Sequence, residues 1–214
     1  MHIFPGLFYG VKDIEVFWQD DLLLRFNGIM VRYSHKIMFQ MGAHVHFGEI
    51  RAPKLNDLKE DDMKSVLIVC PSISPIYRND PGYTVLDIKP NNKEEGYEII
   101  GMDWRYYDFS ERNKLDKFIT LNPQKFFEID INNYKSIRDL DERFINNPKY
   151  FAAYLRSRTG ISSFGDYQAN LYLSENGSEV SDESKNRFMS GTVCGRQYLT
   201  LESYNNCMRE HGVL

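Results

Sequence analysis

Along the first hundred residues, apolar and polar positions alternate over short distances, as they do in strands rather than in long helices. Leu22-Leu23-Leu24 and Ile29-Met30-Val31 flank Asn27-Gly28. Asn-Gly between two apolar runs is the signature of a type I′ hairpin turn, which needs positive φ at both central residues. Strands are therefore expected on either side of it, preceded by one over Ile14 to Trp18. Lys36 to Met41 and Ala43 to Ile50 continue the pattern as an antiparallel meander. Lys54 to Lys64 carries seven charges in eleven residues and reads as a solvated loop or one short helix. Val66 to Cys70 reads as a buried strand stopped by Pro71 and Pro75. Tyr83 to Ile88 and Tyr97 to Tyr107 form a second expected hairpin across the polar loop Pro90 to Gly96.

After residue 107 the period changes. Asp108-Phe109-Ser110-Glu111 is a capping-box pattern, with Leu115, Phe118 and Ile119 following at helical spacing. Phe126 to Ile131 reads as a short strand. Ile137, Leu140, Phe144 and Ile145 mark an amphipathic helix ended by Asn146-Asn147-Pro148. Asn147 then caps the next helix, with Pro148 in its first turn, Phe151, Tyr154 and Leu155 as its stripe, and Gly160 as its stop. Phe164 to Leu173 and Phe188 to Leu199 read as a last pair of strands across the polar stretch Ser174 to Arg187. Thr200 caps a terminal helix, Leu201 to His211, closed by Gly212. The expected fold is α+β in a single domain over 1–214: a mainly antiparallel sheet through residue 107, then a mixed part, 108–214, with three or four helices.

Composition supports the bias towards sheet. Phe 14, Tyr 14 and Trp 2 stand against five Ala, where a long bundle draws on Ala and Leu. The longest unbroken apolar run, Val66 to Cys70, is far short of the ~20 residues a membrane span needs. Met1-His2-Ile3-Phe4-Pro5 has no basic region followed by an apolar stretch, so no signal peptide is expected. With Lys+Arg 26 against Asp+Glu 30 and a net charge of −4, the balance gives no support to non-specific nucleic-acid or anionic-membrane binding. Three cysteines, Cys70, Cys194 and Cys207, are odd in number and too sparse for a disulfide framework. Free thiols in a reducing setting, the cytoplasm or a virion, are the expectation.

The most suggestive chemistry is His44-Val45-His46-Phe47-Gly48-Glu49. Residues two apart on a strand share a face, so both imidazoles are expected on one side, where two histidines and a carboxylate can hold a divalent metal. Glu49 has the opposite parity, which a bulge at Gly48 could correct. The spacing resembles the first metal motif of cupins, although that pattern places its Glu one or two residues later. The pair is also similar to the His-hydrophobic-His motif of rolling-circle nucleases, a resemblance that implies a downstream helical Tyr as nucleophile. Tyr150 and Tyr154, four apart on one helix face, are the candidates.

Cys207 and His211 lie one helical turn apart and, with Cys194, offer three ligands of the kind zinc uses. Packing of Cys207 as a small apolar residue, with His211 favourable at a helix C-terminus, is the simpler account. Arg196 beside Cys194 could lower a thiol pKa, but no local pattern selects a general-base His. Gly160-Ile161-Ser162-Ser163-Phe164-Gly165 lacks the Lys-Ser/Thr ending of a P-loop. Trp104, Tyr106 and Tyr107, in the run Trp104-Arg105-Tyr106-Tyr107, carry the residue types that protein interfaces enrich.

Two function classes follow. One is a non-catalytic structural or assembly subunit without a cofactor, joined to other protein subunits in a homo- or hetero-oligomer. A polar stretch such as Ser174 to Arg187 needs a neighbour to stay ordered, and abundant Asn, Ile and Lys suit an AT-rich phage or viral genome. The other is a metal-dependent enzyme, nuclease- or cupin-like, built on His44 and His46 with a divalent metal.

Overall fold

A computed structural model describes residues 1–9, 14–54, 65–91, 96–108, 118–160 and 181–214, all but the side chain of Asp182. Two short strands, β1 (Leu7–Tyr9) and β2 (Ile14–Val16), pair antiparallel. Helix α1 (Asp20–Tyr33) follows. A three-stranded sheet has the order β3 (Phe39–Gly42), β5 (Val66–Val69), β4 (Glu49–Arg51). In it β3 runs parallel to β5 while β4 runs antiparallel. A second three-stranded sheet is fully antiparallel: β6 (Gly82–Pro90), β7 (Tyr97–Tyr107) and β8 (Phe118–Leu121), with β7 in the middle. The remaining helices are α2 (Pro123–Phe126), α3 (Tyr134–Asn146), α4 (Pro148–Ser157), α5 (Asp182–Gln197) and α6 (Leu201–Glu210). The fold is α+β, with helices concentrated in the C-terminal half.

The caps read from sequence form as expected. The Asn147 side chain accepts from the backbone N–H groups of Lys149 and Tyr150, and Thr200 accepts from Ser203. The hairpin of β6 and β7 also forms, with a register shift between Asp87 and Ile88.

Four elements differ from the expectation, and the antiparallel meander over Lys36 to Ile50 does not form, since β3 pairs parallel with β5 and not with β4. The Asn27-Gly28 hairpin is instead the interior of α1. Leu23 and Met30, seven apart, are buried, with Phe26 and Val31 packed beside them, so the apolar residues follow a helical stripe. Asp20 and Asp21 in the first turn and Arg32 in the last complement the helix dipole. A side chain at Gly28 would meet nothing within 4 Å, so that position faces open space and tolerates the helix. Phe188 to Leu199, expected as a strand, lies mostly in α5. Its run of small residues is the price of close packing: a Cβ on Gly191 would sit 2.6 Å from the Tyr9 ring of β1. Phe118 and Ile119 are in β8 rather than a helix. Phe126 to Ile131, expected as a strand, begins at the end of α2, where Asn122 caps and Pro123 opens the turn.

The expected elements over 55–64, 109–117 and 164–173, and the glycine-punctuated segment after Gly160, lie outside the described residues.

The main core joins Leu23 and Met30 of α1, Ile50 of β4, Val66 and Ile68 of β5, Trp104 and Tyr106 of β7, and Phe144, Tyr154 and Val193 from the helices. Polar groups therefore have to enter a well-packed interior between β4, α3, α4 and α5.

Candidate functional site

Strand β4 is buried at all three residues. Alternation sends Ile50 one way and both Glu49 and Arg51 the other, and the two charges meet: Arg51 donates from Nε to Glu49 Oε2 at 2.8 Å, with a second contact at 2.6 Å. Arg51 also donates to the carbonyls of Leu7 and Gly195, tying β1 and α5 to the strand. From α4, the Tyr154 hydroxyl donates a short hydrogen bond to Glu49 Oε1. From α5, Arg196 reaches the same oxygen at 3.4 Å, the Tyr154 hydroxyl at 3.2 Å and Asp141 of α3 at 2.6 Å. Arg158 lies over the rings of Phe8, Phe47 and Tyr154.

The electrostatics fix the protonation states. Burial alone raises the Glu49 pKa, but Arg51, Arg158, Arg196 and the Tyr154 hydroxyl outweigh it and hold the carboxyl at about 2. Burial, reinforced by the Glu49 charge, pushes Tyr154 up to about 12. Burial works against the charge on Arg196, yet Asp141, Tyr154 and Glu49 more than restore it and raise its pKa. At neutral pH the cluster is an ionised carboxylate, charged arginines and a neutral phenol, every one sealed from solvent. Such a set ties five elements together, β1, β4, α3, α4 and α5. It offers neither a poised base nor an activated nucleophile.

The sequence candidates separate accordingly. His44 and His46 do not share a strand: both lie between β3 and β4 with positive φ, 81° and 66°. The His44 ring nitrogen meets His2 at 3.4 Å, whereas His46 meets the Ser74 carbonyl at 3.2 Å and packs on Tyr77. Glu49 is not brought to either ring by a bulge at Gly48. It is committed to Arg51, Tyr154 and Arg196, and the glycine serves close packing, since a Cβ there would stand 2.7 Å from the Tyr106 hydroxyl. The nucleophile candidates also part. Tyr154 donates to Glu49, while Tyr150 donates to the Phe127 carbonyl at 2.8 Å and accepts from Arg143 at 3.2 Å. Burial raises the Tyr150 pKa, with Arg143 opposing.

Sequence reasoning missed Arg51, Asp141 and the true partners of Arg196. Two signals were present. Arg51 stands two residues after Glu49 on a strand, and Asp141 interrupts the apolar stripe of Ile137, Leu140 and Phe144, where a carboxylate needs a buried partner.

Strand parity also divides the proposed interface residues. Trp104 and Tyr106 point inward and are 1% exposed, so they belong to the core. Burial raises the Tyr106 pKa, and its hydroxyl donates to the Arg158 carbonyl at 3.1 Å. Tyr107 has the opposite parity. It packs on Phe118 of β8, which in turn meets Tyr83 of β6, with ring centroids 5.8 and 6.2 Å apart. Arg105, cross-strand from Tyr83, lies on the same face, and its Nε has no hydrogen-bond partner among the described residues. Tyr83 is 40% and Phe118 54% exposed.

Cys194 and Cys207, expected as free thiols, are joined in a disulfide between α5 and α6, their Cα atoms 5.9 Å apart; Cys70 is free. A cavity of about 600 Å³ lies between the C-terminal end of α1 and the start of β7, edged by His35, Lys36, Tyr97, Glu98 and Asn132. Asn132 is engaged in two hydrogen bonds with the Ile99 backbone. No helix among the described residues is long and apolar enough to cross a membrane. No protein-family model matches the chain, and no curated protein matches it.

Proposed function

We propose that the chain is a non-catalytic structural or assembly subunit that binds other protein subunits through the outer face of the β6–β7–β8 sheet. The observation that carries this reading is the open cluster of Tyr83, Tyr107 and Phe118 around Arg105, an aromatic and arginine surface of the composition that interface hot spots favour. Two supports stand beside it. The chemically capable groups around Glu49 are spent on structure. Further large apolar side chains stay exposed: Leu24 and Ile29 on α1, and Ile73 and Ile76 before β6. A phage or viral particle is the setting this reading favours.

Mass determination by light scattering, together with metal analysis of the purified chain, tests it. The expected result is an oligomer as isolated, with no metal held through His44 and His46, converted to a monomer by Tyr83→Ser with Phe118→Ser while the circular dichroism stays that of the native fold. A native monomer holding a metal that His44→Gln with His46→Gln releases would overturn the reading in favour of the metalloenzyme.

A further inference from the structure

Helices α5 and α6 meet at Cys194 and Cys207, and His211 stands one turn beyond Cys207. The two sulfurs and a His211 ring nitrogen all lie within 4.8 Å of one another. Among the described residues this is the one group of three metal-ligating side chains so gathered. In a tetrahedral site with bonds of about 2.0–2.3 Å, ligand atoms stand about 3.3–3.8 Å apart. His211 is placed by the helix end rather than left loose. Its N–H donates to the Cys207 carbonyl at 3.1 Å, Gly212 follows at φ +69°, and the Val213 N–H returns to the Met208 carbonyl at 3.0 Å. The sulfurs are buried in an apolar cluster with Leu7, Tyr204 and Met208, whereas His211 is half-buried and opens one side to water.

We propose that Cys194, Cys207 and His211 form a binding site for a borderline-soft divalent cation, Zn²⁺ above all, which alternates with the disulfide. A dithiol reductant gives two electrons and two protons to the Cys194–Cys207 bond and becomes a disulfide itself. Zn²⁺ then displaces the two thiol protons, takes the lone pair of the neutral His211 imidazole, and completes its shell with water. A small-molecule disulfide reverses the exchange: it takes two electrons from the zinc-bound thiolates and two protons from water, leaves as two thiols, re-forms the Cys194–Cys207 bond and releases Zn²⁺. The same two helices are thus clamped in either redox state, by a covalent bond or by an ion. The site is independent of the assembly reading.

The test is equilibrium dialysis of the full chain against Co²⁺ and Zn²⁺, once oxidised and once reduced under anaerobic conditions. The reduced chain is expected to take one Co²⁺ with thiolate-to-cobalt charge-transfer absorption, and the oxidised chain to take none at this site. His211→Ala should weaken binding by about tenfold or more, and His211→Cys should restore it. Circular dichroism of the two variants establishes that each is folded, and His211 is placed where replacement leaves the disulfide intact. Equal uptake by both redox forms, uptake without charge-transfer absorption, or unchanged affinity in His211→Ala each overturns the proposal.

Discussion

Arginine, tyrosine and carboxylate gather twice in this molecule, with opposite fates. Around Glu49 they are sealed, and the carboxylate, the Tyr154 hydroxyl and the Arg51 guanidinium are spent on β1, β4, α4 or α5, with Arg196 Nη2, Asp141 Oδ2 and Arg158 Nε left without a hydrogen-bond partner among the described residues. On the outer face of β7 they are more open: the Arg105 side chain is 42% exposed, and its carboxylate contact among the described residues is Asp103, at 3.9 Å. The residue types are the same, and strand parity decides which role each takes. The contrast teaches that chemistry is read from access as well as from identity: a charged group with all its partners inside is a tie, and one without them is a contact in waiting.

The largest expected effect breaks the sealed side. Glu49→Ala leaves Arg51 and Arg196 without the carboxylate they share and should destabilise the chain by about 3–5 kcal/mol in urea-induced unfolding. The pH dependence sharpens the point. The folded carboxyl titrates at about 2 against an ordinary 4.5, so its stabilisation is complete above pH 4.5 and is lost as pH falls from there to 2. Glu49→Gln should therefore flatten the acid limb of stability between those values. An acid limb unchanged in Glu49→Gln would mean that other carboxylates dominate acid unfolding.

A second effect tests the packing that surrounds the cluster. Gly191→Ala puts a Cβ within 2.6–2.8 Å of three Tyr9 ring atoms and should cost about 1–3 kcal/mol by the same measurement. At Gly195, where a Cβ would meet Tyr9 no closer than 3.7 Å, alanine should be neutral or stabilising. Equal costs at the two positions would show that β1 does not pack against α5 as described.

These two glycines also show why part of the fold escaped the sequence. Gly191, Thr192, Val193 and Cys194 are poor helix formers, so propensity favoured a strand; the helix exists because β1 and the core enclose it and require small side chains there. In α1 the misreading was of another kind. Asn27-Gly28 is a strong local turn signal, but Leu23, Phe26 and Met30 already carried a helical period that a longer window weighs more heavily. Where the local and the longer-range signals agreed, as in the β6–β7 hairpin, α3, α4 and α6, the elements formed as expected. The site was less legible. The Glu49–Arg51 pair follows from strand spacing alone, but Asp141 and Arg196 come from distant segments that only the tertiary fold joins. Trp104 and Tyr106 were read as surface because alternation fixes which residues share a face and leaves open which face is inside.

The smallest effect on stability, and the one that bears most directly on the open side, belongs to Arg105. Its side chain is 42% exposed and its one carboxylate contact among the described residues is long, so Arg105→Ala should change unfolding free energy by no more than about 0.5 kcal/mol. If the Tyr83–Tyr107–Phe118 face docks a partner subunit, the same substitution should weaken self-association by tenfold or more, because a guanidinium on the same sheet face as these aromatics is desolvated on docking and loses planar, multidentate contacts when truncated. Arg105→Lys separates charge from shape: it keeps the positive charge and removes the planar fork, and its association constant should fall between those of wild type and Arg105→Ala. Sedimentation equilibrium at several concentrations measures all three. Identical association constants would remove Arg105 from the interface and with it the distinction drawn between spent and unspent arginines. Weakened association with unaltered unfolding would place the working surface of the chain on this sheet.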